Sequence, residues 1–168
     1  MTTIFMIFAF FFLLRLLSLF ISIKNEKRLI KMGAVQHGKF VSLLLTLSHI
    51  SYYFASLYEA YSTDVAFNSY SACGTALMAF AYLVLFYVIY KLKDVWTLKV
   101  YIAPNHRIEK SFLFRVVKHP NYFLNIIPEL IGVALLCNAW HTLMFGLPAY
   151  SLLLAIRIVQ EEHAMKHL

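Results

Sequence analysis

Charge is scarce in this chain. Only 14% of its 168 residues are Asp, Glu, Lys or Arg, while 61% are hydrophobic, and mean hydropathy is +0.71. A water-facing domain carries about a quarter charged and about half apolar residues, so a soluble core is excluded and the surplus apolar surface must face lipid. Cysteine is scarcer still. Cys73 and Cys137 both lie in apolar runs, without the spacing of a metal site or a redox pair, and both are expected to be buried and structural. The N-terminus lacks a leading positive charge and a small-residue cleavage site, so its apolar run is not read as a signal peptide. No internal repeat or low-complexity tract occurs.

The charge that is present is mostly positive: the formal net charge is +7 and the pI about 9.4. In a soluble protein this balance suggests nucleic acid. Here the basic residues stand between apolar runs, so membrane lipids are the expected counterpart, with no nucleic acid. The runs cover about residues 1–23, 40–58, 70–90, 122–137 and 142–159. About 20 apolar residues cross a bilayer as a helix. The expectation is therefore an all-α integral membrane protein of about five transmembrane helices, forming a single domain over 1–168. Its last two spans are joined by a tight hairpin at Asn138 and Ala139. Arg15 interrupts the first run and needs a partner. Lys24, Lys27, Arg28, Lys31 and Lys39 fill the first connection. Lys91, Lys93, Lys99, Arg107, Lys110, Arg115 and Lys118 fill the third. The second carries Glu59 and Asp64 and no basic residue. Basic residues accumulate on the cytoplasmic side, which predicts the N-terminus outside and the C-terminus inside.

The loop from Lys91 to Lys118 is longer than a connection needs. Its stretch "VWTLKVYIAP" is rich in β-branched and aromatic residues, which predicts a short extended segment returning through "RIEKSFLF". Four features fall on the same predicted membrane face: the segment around His106, "KHPNY" at Lys118–Tyr122, Arg157, and the pair Glu161–Glu162. Arg157 and Glu161 are four apart and share a helix side. The hairpin brings the start of the fourth span beside the end of the fifth. Each feature has a plain alternative. His119 before Pro120 suits a helix start without chemistry, Arg157 can snorkel to headgroups, and the two glutamates can be solvated, although carboxylates at a helix C-terminus are unfavourable. His163 and His167 are four apart but lack a third ligand, so no metal is expected.

Taken together, "HPNY" at a span start followed roughly 35 residues later by "RIVQEE" resembles the isoprenylcysteine carboxyl methyltransferase family of membrane enzymes. The stretch "WTLKVYIAPNHRIEKSFLFRVVKHPNY" resembles that family's approach to the motif, and "KNEKRLIKMGAVQHGK" the first cytoplasmic loop of short bacterial-type members. The resemblance is specific from about Trp96 to Leu168. It implies an S-adenosylmethionine-dependent O-methyltransferase with its cofactor at the cytoplasmic side of the C-terminal hairpin. It further implies that His119, Pro120, Asn121 and Tyr122 lie against the cofactor, as do His106, Arg107, Ile108 and Glu109 of the preceding segment, with Phe114 between. Glu161 matches the acidic residue at the cofactor's polar end, and Arg157 an arginine associated with the substrate carboxylate. Lys118 stands where arginine is usual, Phe114 where tyrosine is common and Phe123 where many members have glycine. Glu129 falls outside the pattern of the eukaryotic members.

A carboxylate is already a nucleophile at neutral pH, so its methylation needs no base, only alignment and exclusion of water. Arg157 can fix such a group by paired hydrogen bonds. The expected acceptor is lipophilic and prenylcysteine-like, its tail staying in the bilayer. An enol or phenol, such as an alkylpyrone polyketide, is the alternative. It must lose a proton, with Glu129 or His119 as candidate bases. Glu129 is otherwise the partner of Arg15. Two further classes compete: a nicotinamide-dependent membrane reductase, for which this chain is short, and a non-enzymatic membrane subunit.

Overall fold

The computed structural model describes residues 1–102 and 119–165. The chain is a bundle of long apolar helices: α1 (Thr2–Lys31), α2 (Lys39–Ser62), α3 (Ser69–Leu92), α4 (Ile127–Cys137) and α5 (Leu147–Met165). Four helical stretches, Thr2–Lys31, Lys39–Ser62, Ser69–Val95 and Thr142–Ala164, are long and apolar enough to cross a bilayer. The fourth expected span is the shorter apolar helix Asn121–Cys137. The protein is thus an all-helical membrane protein. Leu83, Phe20, Phe40 and Leu152 are among the large side chains left exposed on its outer face. Cys73 is exposed and Cys137 buried, which corrects the expectation for the first of the pair: Cys73 lies on the outer face of an apolar helix.

Two helical segments are widened to the π form, Asn121–Ile126 leading into α4 and Thr142–Gly146 leading into α5. Each ends two residues before a proline, Pro128 and Pro148. Proline offers no N–H and its ring crowds the carbonyl four residues back. Shifting the bonding pattern by one residue just upstream accommodates that defect without breaking the helix.

α3 and α4 form the tightest pair, packed through glycines. A Cβ at Gly74 would lie 2.5 Å from the Gly132 carbonyl oxygen, and one at Gly132 would lie 2.6 Å from Met78 Cγ. Small residues let membrane helices approach closely. The hairpin falls where expected: Asn138 closes α4 in the left-handed conformation, φ 51°. Glu59, near the end of α2, accepts hydrogen bonds from the backbone N–H groups of His141 (3.0 Å) and Thr142 (3.1 Å), satisfying free donors at the next helix start.

The opposite end holds the basic connections. α1 continues past the predicted loop start to Lys31, because its last turns are fastened from outside. Asn25 donates to the carbonyls of Lys93 (2.9 Å) and Trp96 (2.8 Å), Ser22 accepts from the Leu98 N–H, and Glu26 pairs with Lys99 at 2.7 Å. The extended segment occurs as β2 (Val100–Ile102). Its partner is β1 (Val35–His37) of the first connection, antiparallel with Gln36 opposite Tyr101. The expected return strand "RIEKSFLF" lies outside the described residues. This two-stranded sheet ties the two basic connections together, so both sit on one side of the bundle.

Candidate functional site

Pro120 starts the helix that leads into α4, and its fixed φ of −62° suits a first helical turn. His119, just ahead of it, is turned inward and only 7% exposed. Its ring stacks on Tyr122, centroids 5.6 Å apart at 21°. Its two nitrogens meet the carboxylates at the end of α5: Nδ1 is 3.5 Å from Glu161 Oε2, and Nε2 is 3.3 Å from Glu162 Oε1. The Tyr122 hydroxyl faces both Glu161 and Arg157. The start of the fourth apolar helix and the end of the fifth therefore meet at the basic end, bringing His119, Tyr122, Arg157 and Glu161 into one cluster.

Arg157 is 1% exposed, so it does not snorkel. Its Nη1 donates to the carbonyl oxygens of His37 (3.4 Å) and Gly38 (3.3 Å), at the end of β1 and the start of α2. Among the described residues, three buried polar atoms at this end make no hydrogen bond, Asn121 Oδ1, Arg157 Nη2 and Gln160 Oε1, and Glu161 Oε2 has only the 3.5 Å contact with His119. Buried polar atoms without partners are costly and uncommon. A run of them at one mouth is chemically informative: three oxygens that accept and one cationic nitrogen that donates. Gly38 and Gln160 are not singled out by the sequence reading. Gly38 lies within "KNEKRLIKMGAVQHGK" and Gln160 within "RIVQEE", but residue type alone marks neither as part of the site. His106, Arg107, Ile108, Glu109, Phe114 and His167 lie outside the described residues.

The Glu161 carboxylate beside it holds the His119 imidazole above its ordinary value of 6.5. Burial opposes this and Glu162 reinforces it. A histidine whose native value is raised stabilises the fold fully below the unfolded value and loses that contribution as pH rises through the native one. Stability is therefore expected to decline from about pH 6.5 upward as His119 deprotonates. Glu161→Gln is expected to flatten that slope in a thermal-unfolding series in detergent. An unchanged slope in the variant would assign the pH dependence elsewhere.

Glu129 sits seven residues beyond Tyr122, roughly 10 Å deeper at 1.5 Å per residue. It is wholly buried. Arg15 Nε donates to its Oε1 at 3.0 Å, and a second guanidinium nitrogen binds Oε2. The hydroxyls of Tyr53 and Tyr82 (3.1 Å) donate to the same Oε1, and His49 Nε2 stands 3.5 Å away. Of the two sequence readings, pairing with Arg15 is what the bundle displays. On the same helix Asn125 is also wholly buried, with Nδ2 donating to the Ala81 carbonyl at 3.0 Å.

An all-helical membrane bundle with a His–Tyr–Arg–Glu cluster at the junction of its last two helices defines the class: a membrane protein with a buried polar cluster on its basic side. The family model of the isoprenylcysteine carboxyl methyltransferase family matches residues 74–167. The chain belongs to that family of membrane methyltransferases, whose members use S-adenosylmethionine. It is 55% identical over 161 residues to an uncharacterized protein of Haemophilus influenzae, covering 96% of this chain and 94% of that one. It is 24% identical over 143 residues to the uncharacterized protein YpbQ of Bacillus subtilis, covering 85% and 84%. No solved structure matches.

Proposed function

We propose that this protein is an S-adenosylmethionine-dependent O-methyltransferase acting at the membrane on the carboxyl group of a lipophilic acceptor, with its site on the cytoplasmic side. The observation that carries this reading is the set of buried polar atoms with spare hydrogen-bonding capacity, Asn121 Oδ1, Arg157 Nη2, Gln160 Oε1 and Glu161 Oε2, at the end that holds His119 and Tyr122. The cofactor's amino-acid end carries an ammonium and a carboxylate. Asn121, Gln160 and Glu161 offer oxygens for the first, and Arg157 Nη2 a cationic donor for the second or for an acceptor carboxylate. What the cofactor supplies when bound is a methyl group activated on sulfonium. The chain's own residues then have three tasks. Tyr122 and His119 form an aromatic wall that excludes water. Arg157 aligns the acceptor oxygen. Glu161 holds His119 in place and favours its protonated form. Glu129 has all its capacity spent on Arg15 and its tyrosines, so in this reading it holds the bundle.

The lipophilic tail would remain among the lipids, against the apolar helices that lead to the cluster. The basic connections share one side, and their excess of Lys and Arg supports that side as the cytoplasmic one. An enol or phenol acceptor is the second reading. It draws on the buried acid–base pair His119–Glu161, which a carboxylate acceptor does not need as a base.

Calorimetry in detergent tests the proposal. Micromolar binding of S-adenosylhomocysteine is expected, weakened at least tenfold by Glu161→Ala, with no binding of NADPH. Labelled methyl donor incubated with host lipid extract is expected to yield a base-labile methyl ester. A base-stable labelled ether would select the second reading, and NADPH binding in place of S-adenosylhomocysteine would sink both.

A further inference from the structure

The first connection joins α1 to α2, far in sequence from the candidate site, and none of the candidate site residues named from the sequence lies in it. Its last residues nonetheless hold that site's arginine. Both carbonyls reached by Arg157 Nη1 belong to it, those of His37 and Gly38. Gly38 is in the left-handed region, φ +62°, where L side chains are rarely found. A Cβ there would fall 2.4 Å from Gln160 Oε1 and 3.0 Å from Arg157 Nη1. A Cβ would have to displace the ends of the Gln160 and Arg157 side chains, whereas glycine leaves both carbonyls aimed at the guanidinium. The segment is itself held in place. β1 is paired to β2 through His37 opposite Val100, and the Gly38 carbonyl also accepts from Ser42 N–H at 2.9 Å, starting α2.

We infer that Gly38, with the His37 carbonyl, is a positioning element of the site: it fixes which side of the Arg157 guanidinium is turned to a ligand. A free arginine presents a symmetrical fork. Here Nη1 is committed to two backbone oxygens, and Nη2 stays buried and unpartnered. A ligand oxygen is therefore met from the Nη2 side, in one orientation. The inference rests on the methyltransferase reading for its meaning and on the two hydrogen bonds for its geometry.

The test uses the full chain, labelled with ¹⁵N-arginine in detergent micelles, with the Arg157 resonance assigned by Arg157→Lys. The Arg157 Nη hydrogens are expected to exchange slowly with solvent. Gly38→Asn tolerates the left-handed backbone but carries a Cβ, and it is expected to speed that exchange at least tenfold. Gly33→Ala is the control: it sits in the same connection at φ 84°, so it strains the loop without displacing the anchor, and exchange should stay within threefold of wild type. Transfer of labelled methyl to host lipid extract should fall at least tenfold in Gly38→Asn, in kcat more than in KM. Unchanged exchange in Gly38→Asn, equal loss in Gly33→Ala, or altered exchange with undiminished transfer each overturns the inference. A wild-type chain that binds no S-adenosylhomocysteine defeats the proposed function instead, and the exchange arm then still decides whether the anchor exists.

Discussion

Replacing Glu129 by alanine is expected to cost about 3–5 kcal/mol, enough to prevent accumulation of folded protein. The carboxylate is wholly buried and serves Arg15, Tyr53 and Tyr82 at once. Removing it leaves a guanidinium uncompensated within the apolar bundle. The loss should belong to the broken pair and not to the site as such. Arg15→Met combined with Glu129→Leu removes both charges and fills the space, and it should return to within about 1–2 kcal/mol of the wild type. Reversible unfolding in mixed micelles measures all three. If the double variant is no more stable than either single one, the ion pair does not account for the effect. Glu129→Gln adds a functional reading: a folded variant retaining transfer leaves Glu129 structural, whereas a folded variant without transfer would return it to the chemistry.

Gly74→Val should be nearly as damaging. A Cβ at Gly74 already meets backbone atoms of Gly132 and Leu135 within 3 Å, and backbone cannot swing aside as a flexible side chain does. Overpacking of this kind costs about 1–3 kcal/mol and occasionally more; with a β-branched side chain against a helix backbone the upper end is expected. The consequence should reach the site, because α4 continues directly from the turn bearing His119 and Tyr122. S-adenosylhomocysteine affinity should fall together with melting temperature. Phe80→Leu, on the exposed face of the same helix, should change neither, and a comparable loss there would point to general fragility of α3.

The membrane class, the helical runs, the hairpin at Asn138 and the shared side of the basic connections were legible without coordinates, for one reason. Lipid imposes long uniform apolar segments, and charge is expelled to their ends, so composition alone maps the chain. The "HPNY" and "RIVQEE" stretches were legible because their residue types are out of place in such runs. The partner of β2 was not legible. Pairing between the first and third connections depends on how four helices bring two loops together, and three-residue strands carry too little pattern to announce it. Nor was the length of α1: Asn25 and Glu26 look like ordinary loop polars until the segment 93–99 arrives beside them.

The sequence by itself determined a lipid-embedded helical bundle, its polarity across the bilayer as an expectation, and the family's motif at the junction of the last two helices. Only the tertiary structure decided that Glu129 is answered by Arg15, that two glycines set the α3–α4 distance, and that a glycine in the first connection holds Arg157. Burial free energy and residue type are local quantities, readable along a chain. The partner of a buried charge, or of a backbone carbonyl, is fixed only when separate helices close on one another.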